Sequence, residues 1–288
     1  MHNRLAVLRF LCTVLLWGLG VLSAVGQETA GVSHAVITPF QDIHNDAGLD
    51  DALHLSSQKF IILIYQNALA VYSEAMFVNR SGDSVCAAFA LPSHGYRISI
   101  EEKEVFNARL YGPRVWVAGE RLQVATEETD DAEWYTIHPA FAPGQTKVLK
   151  ALCWIPIYME LPDAAPPSDT AMIPPGVRHW QIRLSDASAW KDNVDQITVR
   201  VLVHDGITME NSGMRMRPKN YDLQGSAISW SFTNVEPGEF QNIHCAFQTP
   251  STGDHVESAY TKLNTLQKLS AEMTGPAYDE LLLVADQQ

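Results

Sequence analysis

Apolar and polar residues alternate along several short segments of the chain, as they do in β-strands whose two faces meet different surroundings. The alternation is nearly perfect over Gln196–Val203, so one face of that strand is expected to meet water. Residues 68–78 alternate in the same way, and Phe60–Tyr65 is rich in the β-branched and aromatic residues that strands favour. The polar run Asn79–Asp83 predicts a turn, and Ser84–Leu91 predicts a strand that returns to form a hairpin with 68–78.

Further strand-like runs recur about every ten residues, separated by turn signals such as Gly119-Glu120. They are Arg97–Glu101, Arg114–Val117, Arg121–Ala125, Trp134–His138, Lys147–Tyr158, His179–Leu184, Gln196–His204, Ala227–Thr233 and Asn242–Gln248. This spacing is typical of sandwiches and barrels. The fold class predicted is mainly β, with one or two β-sandwich (immunoglobulin-like) units and a C-terminal amphipathic helix.

The helix is predicted from the spacing of apolar residues after Asp254. Val256, Tyr260, Leu263 and Leu266 recur at three- and four-residue intervals, and the pattern ends before Gly275-Pro276. A helix over 254–273 with one apolar face has two interpretations. It packs on the sheets of its own chain, or it binds a partner.

The N-terminus has the order of a secretory signal peptide. A basic head holding Arg4 and Arg9 precedes the apolar run Phe10–Leu22, and small residues follow at Ala24 and Gly26. Residues 1–26 are therefore predicted to be cleaved, which places the protein in the periplasm or outside the cell. The alternative is an uncleaved anchor, because a run from Leu5 to Val25 reaches the length of a spanning helix.

Composition divides the rest of the chain. Residues 27–57 are predicted to form an irregular N-terminal arm, 58–160 a first β-sandwich unit and 178–252 a second β-rich unit. Between the units, 161–177 is a proline-rich connector, since five prolines fall within 161–176. Residues 253–288 form the C-terminal helical segment, and whether the two β units are one domain or two stays open.

Charge narrows the choice of partners. The formal net charge is −13, from 20 basic and 33 acidic residues. Such a chain repels phosphates and anionic lipid surfaces, so neither nucleic acid nor an anionic membrane surface is predicted as a partner. No membrane span is predicted after signal cleavage. Another envelope protein is the expected partner, and the oligomeric state is not indicated.

Three cysteines follow the predicted signal peptide, Cys86, Cys153 and Cys245, each beside apolar neighbours. In an oxidising compartment an odd number permits one disulfide and one free thiol. The apolar contexts favour three buried residues without a bridge.

The run Tyr72–Gly82, followed by Ala88–Pro92, resembles a pattern in exported bacterial β-sandwich proteins of unknown function. In those proteins a strand ends at an Asn, and a strand ending in an apolar-Pro pair returns. Phe141–Gln145 and Trp230–Pro237 fit the same style. The resemblance covers residues 58–248 and implies an exported sandwich, without implying any catalytic residue.

No zinc helix, nucleophile elbow or phosphate loop occurs in the sequence. The richest polar cluster comprises His34, Asp42, His44, Asp46, Asp50, Asp51 and His54. It has the odd-position spacing of a calcium loop, but Gly48 is one place late and Leu53 stands where the bidentate Glu belongs. A solvated arm is predicted there, and no metal or cofactor.

Other polar groups are predicted to be structural or hydrated. The acidic runs Glu101–Glu104 and Glu127–Glu133 are expected in water, although paired carboxylates could hydrolyse glycosides. His204-Asp205 lacks an identifiable nucleophile, so no catalytic residue is assigned. Asn79-Arg80-Ser81 matches a glycosylation sequon and is expected to mark a surface turn.

Six tryptophans lie after the signal peptide: Trp116, Trp134, Trp154, Trp180, Trp190 and Trp230. Most are expected in the core, and Trp190 is the best candidate for an exposed ring, since the composition of Ser188–Asn193 predicts a loop.

The leading hypothesis is an exported, non-enzymatic structural or interaction protein of the bacterial cell envelope. The alternatives are a carbohydrate-binding sandwich and a hydrolase with an unrecognised site. The ligand-binding residues are not indicated.

Overall fold

The computed structural model describes residues 33–42, 49–65, 68–94, 97–100, 103–130, 132–157, 159–160, 177–190, 192–203 and 207–248. About 65% of them lie in strands, and none of their helices reaches seven residues, so the predicted mainly β fold is confirmed. Within these residues, no helix has the length and apolar character needed to cross a bilayer. The predicted signal peptide, residues 161–176 of the connector and the predicted helix over 254–273 lie outside the described residues.

The described elements are 21 strands, one short α-helix and two 3₁₀ helices. The strands are β1 (Ser33–Ile37), β2 (Gln41–Asp42), β3 (Leu53–Ile64), β4 (Ala68–Asn79), β5 (Val85–Cys86), β6 (Phe89–His94), β7 (Arg97–Ile100), β8 (Lys103–Asn107), β9 (Tyr111–Val117), β10 (Glu120–Leu122), β11 (Ala125–Glu128), β12 (Glu133–Ile137), β13 (Ala140–Phe141), β14 (Thr146–Pro156), β15 (Met159–Glu160), β16 (Val177–Ile182), β17 (Val194–Val203), β18 (Arg215–Arg217), β19 (Asp222–Gln224), β20 (Ala227–Val235) and β21 (Ile243–Gln248). The helices are α1 (Leu49–Ala52), η1 (Leu184–Ala189) and η2 (Glu239–Gln241).

The largest sheet has eight strands in the order β10-β9-β14-β4-β3-β17-β20-β19. The pair β3 and β17 at its centre is parallel, with Ser57 opposite Gln196 and Ile64 opposite Val203. The other neighbours in this sheet are antiparallel. The centre of the sheet therefore joins segments separated by about 130 residues of chain.

A second sheet has the order β18-β21-β16-β1-β8-β7, with β15 also paired to β16, and a third has the order β11-β12-β6-β2. In the second sheet β1 runs parallel to β16, with Ala35 opposite Trp180. Strands from both sides of residues 161–177 thus pair in the first and the second sheet, so these sheets do not divide at the predicted connector.

One large core cluster contains side chains from all three sheets. Phe60, Ile62 and Ile64 reach it from alternate positions of β3, and Trp180 and Phe89 reach it from the second and third sheets. Their exposed fractions are 2% or less. The period-two alternation is what lets a single strand supply a whole row of core residues.

The predicted hairpin between 68–78 and 84–91 is wrong. Strand β4 pairs with β3 and β14, whereas Phe89–His94 pairs with β12 and β2. The separation occurs at Asn79, which is fully buried and whose Nδ2 donates to the backbone oxygens of Asp83 (2.8 Å) and Ala142 (3.0 Å). These bonds redirect the chain out of the large sheet, and they bury the amide of the sequon.

The tight turn predicted at Gly119-Glu120 is present one residue earlier, at Ala118-Gly119, and Glu120 already belongs to β10. Val117 pairs with Glu120 in an antiparallel hairpin, and Ala118 and Gly119 between them both have positive φ, 51° and 88°. Two such residues in a two-residue loop match the right-handed twist of the flanking strands. Glycine supplies the second of these conformations without steric cost.

The range 27–57, predicted to be irregular, contains regular structure. Strand β1 pairs on both sides with parallel partners, β16 and β8, and β3 begins as early as Leu53. The apolar positions of β1 are few, only Ala35, Val36 and Ile37, and all three are buried. Short strands between two neighbours carry too few residues for their periodicity to stand out.

Candidate functional site

The side chain most open to solvent among the large apolar residues of the described chain is Phe240, which is 92% exposed. Leu223 on β19 is the other exposed large apolar residue there, at 55%. Phe240 lies on η2, in the link between β20 and β21. No periodic pattern in the sequence marks Phe240, and the available signal is a single aromatic residue in the polar run Glu236–Asn242.

Hydrogen bonds close the turn that carries Phe240. The backbone nitrogen of Gln241 donates to the Gly238 oxygen at 3.0 Å, and the Gly238 nitrogen donates to the side-chain Oε1 of Gln241 at 2.9 Å. The phenyl ring therefore projects from a short turn bonded at both ends. Such fixed loops display a side chain with little loss of conformational entropy on binding.

The turn is attached to η1 through Asn242. The backbone nitrogen of Ser185 donates to Asn242 Oδ1 at 2.9 Å, and Asn242 Nδ2 donates to Ser185 Oγ at 3.1 Å. Leu184 and Ala187 of η1 are fully buried in the main core. Phe240 is thus linked through two reciprocal hydrogen bonds to an element that the core holds in place.

Charged and amide groups adjoin this link. Arg183 Nε donates to both oxygens of Asp186, at 3.0 and 3.2 Å, and Gln41 Nε2 donates to Asp186 Oδ2 at 3.4 Å. The Arg183 side chain keeps 22% of its surface exposed, whereas that of Asp186 keeps 8%. We call Gln41, Arg183, Ser185, Asp186, Phe240 and Asn242 the Phe240 surface. Its members include one exposed aromatic ring and one partly exposed guanidinium.

Trp190, the best candidate among the tryptophans for an exposed ring, is buried, with 1% of its surface exposed. The indole is stacked on Phe89, with ring centroids 5.3 Å apart, and it meets Phe77 edge-on at 4.7 Å. Its Nε1 donates to the Phe40 backbone oxygen at 2.8 Å. The polar neighbours of Trp190 suggested a loop, but η1 ends immediately before it and directs the ring into the core.

The expectation that most tryptophans belong to the core is confirmed. Trp134, Trp154, Trp180 and Trp230 are all buried, and Trp116 is half-buried.

The three described cysteines are free thiols, as predicted, but Cys86 is exposed rather than buried. Its strand β5 has two residues and pairs only with the equally short β13 in a separate sheet. Burial raises the pKa of the Cys153 thiol to about 12. Burial also raises the pKa of Cys245, against a smaller lowering by the neighbouring Trp180 side chain.

The polar cluster predicted near the N-terminus is dispersed over different elements. Asp42 on β2 and His54 on β3 are buried, Asp51 on α1 is exposed, and His44 and Asp46 lie outside the described residues, as do the side chains of His34 and Asp50. Within the described part of the chain no group of three or more His, Cys, Asp or Glu side chains could hold a metal ion.

A serine, an aspartate and a histidine do meet beside β3. Ser56 Oγ donates to Asp195 Oδ2 at 2.8 Å, and His54 Nε2 lies 3.7 Å from the same oxygen. In a catalytic triad the histidine lies between the other two and takes the serine proton. Here the carboxylate holds that position, so this arrangement does not activate the hydroxyl. His204 and Asp205 lie outside the described residues.

No family model matches the chain, and no curated protein is similar to it. Among solved structures, a candidate nutrient binding protein from Legionella pneumophila is similar over 74% of this chain and 70% of its own, with a TM-score of 0.50 and 12% identity. An M1 zinc metallopeptidase from Deinococcus radiodurans (TM-score 0.33, 12% identity) matches over 68% of this chain and 42% of its own. Leukotriene A4 hydrolase from Saccharomyces cerevisiae (TM-score 0.41, 8% identity) matches over 69% and 29%.

These similarities bear on the fold alone. The Legionella protein shares an arrangement of strands with this chain at an identity too low to carry a ligand across. The other two structures are less similar, and the chain spans less than half of the length of either. They carry no argument about chemistry here.

Proposed function

We propose that this protein is an exported, non-enzymatic interaction protein of the bacterial cell envelope and that it binds a partner protein through the Phe240 surface. The observation that supports this proposal is the 92% exposure of a large aromatic ring on a turn bonded to the core. Single exposed apolar residues are common on protein surfaces and do not by themselves indicate a binding site. Here the supporting turn holds the ring outward.

Burial of the Phe240 ring against a partner would contribute substantially to the free energy of binding. Full burial of a phenylalanine side chain is worth about 1.5–3 kcal/mol. Aromatic residues are enriched in the buried centres of protein interfaces, and the rims are polar. Gln41 and Arg183 would belong to such a rim around Phe240.

Export and architecture belong to the same proposal. The basic head, apolar run and small residues of the first 26 positions support export, and the net charge of −13 supports a protein partner over nucleic acid. The core cluster shared by three sheets supports a β-sandwich, to which the sequence adds a C-terminal amphipathic helix.

The test compares Phe240→Ala with Leu223→Ala, which removes the other exposed large apolar side chain of the described residues, on β19 and outside the Phe240 surface. Each protein is used to capture partners from native envelope extracts, and the partner is then identified, purified and titrated. We expect Phe240→Ala to weaken binding about 10- to 100-fold, from the lost burial of the ring. Leu223→Ala should bind as the wild type does.

An unchanged dissociation constant for Phe240→Ala, with the partner still bound, would refute the Phe240 surface as the binding site. Mass spectrometry of the exported protein tests the other half of the proposal, with Gln27 expected at the N-terminus. An intact start methionine on cytosolic protein would refute export.

A second candidate is carbohydrate binding by the same ring, because a fully exposed aromatic face can stack on a sugar. Glycan-array binding that Phe240→Ala abolishes and Phe240→Trp retains would favour it. An array without signal would remove it. The described residues supply no observation that favours the third hypothesis, a hydrolase.

A further inference from the structure

The face of the large sheet that points away from the main core carries its own apolar cluster. Seven side chains form this outer cluster: Ile61, Leu63, Ala68, Ala70, Tyr72, Leu152 and Trp154. They come from the three adjacent strands β3, β4 and β14. Half-buried residues packed against them are Tyr65, Tyr111, Trp116 and Leu202. The large sheet is therefore apolar on both faces over part of its area.

The outer cluster is shielded from water more completely than one sheet layer can achieve. Its seven members are at most 5% exposed, and five of them, Ile61, Leu63, Ala68, Ala70 and Leu152, are only 0% or 1% exposed. Every described member belongs to the large sheet, and Tyr65 directly follows β3. A sheet covers one face with its partner layer and needs a further layer to bury the other.

The burial is confined to one end of this face. Met76 and Val78 continue the same alternate row of β4, yet both are only half-buried, as is Val148 opposite Met76 on β14. Along this alternate row of β4, Tyr72 is the last buried residue and Glu74 is the first half-buried one. A cover of limited extent, rather than a general property of the sheet, accounts for this difference.

Positive charge borders the cluster. Arg114 lies opposite Leu152, Arg200 lies opposite Ile61, and Lys59 and Lys150 lie on either side of Glu74 in the adjacent row. Glu74 accepts from Tyr72 at 2.5 Å and pairs with Lys150 at 3.4 Å. These five ionisable groups carry a formal charge of +3. A segment that covers the cluster should therefore present an apolar face to it and carry acidic side chains next to that face, opposite the cationic border.

The chain itself contains such a segment after its last strand. Strand β21 ends at Gln248, and 40 residues follow. Residues 254–288 hold six acidic and two basic residues, a formal charge of −4. Their apolar positions Val256, Tyr260, Leu263 and Leu266 fall on one face of a helix.

We propose that the C-terminal segment, residues 254–288, is the cover of the outer apolar cluster. The apolar stripe of the segment packs on Ile61, Tyr72 and Trp154, and its carboxylates lie near the cationic border. A helix of 20 residues is about 30 Å long. The cluster and its half-buried neighbours span five strands at about 4.8 Å spacing, so the helix is long enough to cross them. This inference does not depend on the Phe240 surface.

The first test measures the accessibility of the cluster directly, by hydroxyl-radical footprinting of the protein carrying residues 27–288. The variant Leu263→Asp places a charge on the apolar stripe, and Thr261→Asp places the same charge on the opposite side of the predicted helix. We expect oxidation of the peptides holding Tyr72 and Trp154 to rise at least threefold in Leu263→Asp and to stay at the wild-type level in Thr261→Asp. The peptide holding Trp190, in the main core, reports whether the fold is retained.

The second test joins the two surfaces covalently. A carbodiimide links lysine amines to carboxylates in contact, so Lys59 or Lys150 should couple to an acidic residue of 254–288 within a monomer. Unchanged protection of Trp154 in Leu263→Asp, with no such link, would overturn the proposal. Links found only in a dimer would overturn it too, and would assign the cover to a second copy of the chain. If Leu263→Asp also exposes Trp190, the variant has lost its fold and its footprint is not interpretable. The cross-link within the wild-type monomer then decides between the proposal and its rejection.

Discussion

Trp190 and Phe89 lie stacked at the junction of the sheets, with ring centroids 5.3 Å apart and ring planes 25° apart. Trp190 directly follows η1 and Phe89 belongs to β6, so the pair joins the link after η1 to the third sheet. The indole also satisfies the Phe40 backbone oxygen. This contact fixes the base from which Ser185 and Asn242 support Phe240.

Replacing Trp190 by Ala is therefore expected to cost about 3–5 kcal/mol of the free energy of unfolding, since a large buried aromatic leaves a cavity. The measurement is urea denaturation of both proteins. Phe240→Ala is the control, because an exposed ring contributes within about 0.5 kcal/mol. A cost below about 1 kcal/mol for Trp190→Ala would contradict the buried position.

Asn79→Asp is expected to destabilise the protein by about 2–3 kcal/mol, because it removes the donor that faces two or three backbone oxygens and leaves a buried charge there. Ser81→Ala removes only the hydroxyl that donates to Asn79 Oδ1 at 2.8 Å. It should cost about 1 kcal/mol or less. Equal costs in thermal unfolding would show that the amide donor has no special role.

Thiol labelling of the native protein carrying residues 27–288 should modify Cys86 alone. Cys86 is exposed, whereas Cys153 and Cys245 are buried. The thiolate is the reactive form, and a pKa of about 12 leaves almost none of it at Cys153 near neutral pH. A maleimide reagent at pH 7.5 should therefore give one adduct natively and three after denaturation. Rapid native labelling of Cys153 would contradict its burial.

Stability should fall above pH 9, and Cys153 should contribute to the fall. Its pKa is about 12 in the folded protein against 9.0 as the ordinary value, so the folded state keeps the proton longer. The stabilisation from this neutral thiol is complete below pH 9 and is lost as the pH rises toward 12. Each such thiol adds a slope of up to about 1.4 kcal/mol per pH unit.

The check is the pH dependence of the unfolding free energy between pH 8 and 11. Cys153→Ala should flatten the decline, whereas Cys86→Ala should leave it as in the wild type. Parallel declines in all three proteins would show that burial of this thiol does not influence alkaline stability.

Strands with clear alternation could be predicted from the sequence, with their faces. Residues 68–78 and Gln196–Val203 contain the alternation seen in β4 and β17, and the turn between β9 and β10 is signalled to within one residue by Gly119. These features depend on local residues only. Their prediction needs no knowledge of which strands become neighbours.

What could not be predicted depends on distant contacts. The pairing of β3 with β17, the place of β1 between two parallel partners and the departure of the chain at Asn79 are all decided by residues far apart in sequence. The same holds for Trp190, whose polar neighbours hide its burial. Phe240 was missed for the opposite reason, since one aromatic residue in a polar link has no periodic context.

The parallel pairing of β3 with β17 also determines how early the large sheet can form during synthesis of the chain. Residues 57–64 leave the ribosome well before 196–203, and at about 5–20 residues per second the interval is roughly 7–28 s. During this interval the apolar strand β3 lacks β17, its parallel neighbour in the large sheet. The large sheet of a newly made chain thus stays incomplete until most of the chain has been synthesised, and chaperones have several seconds in which to bind it.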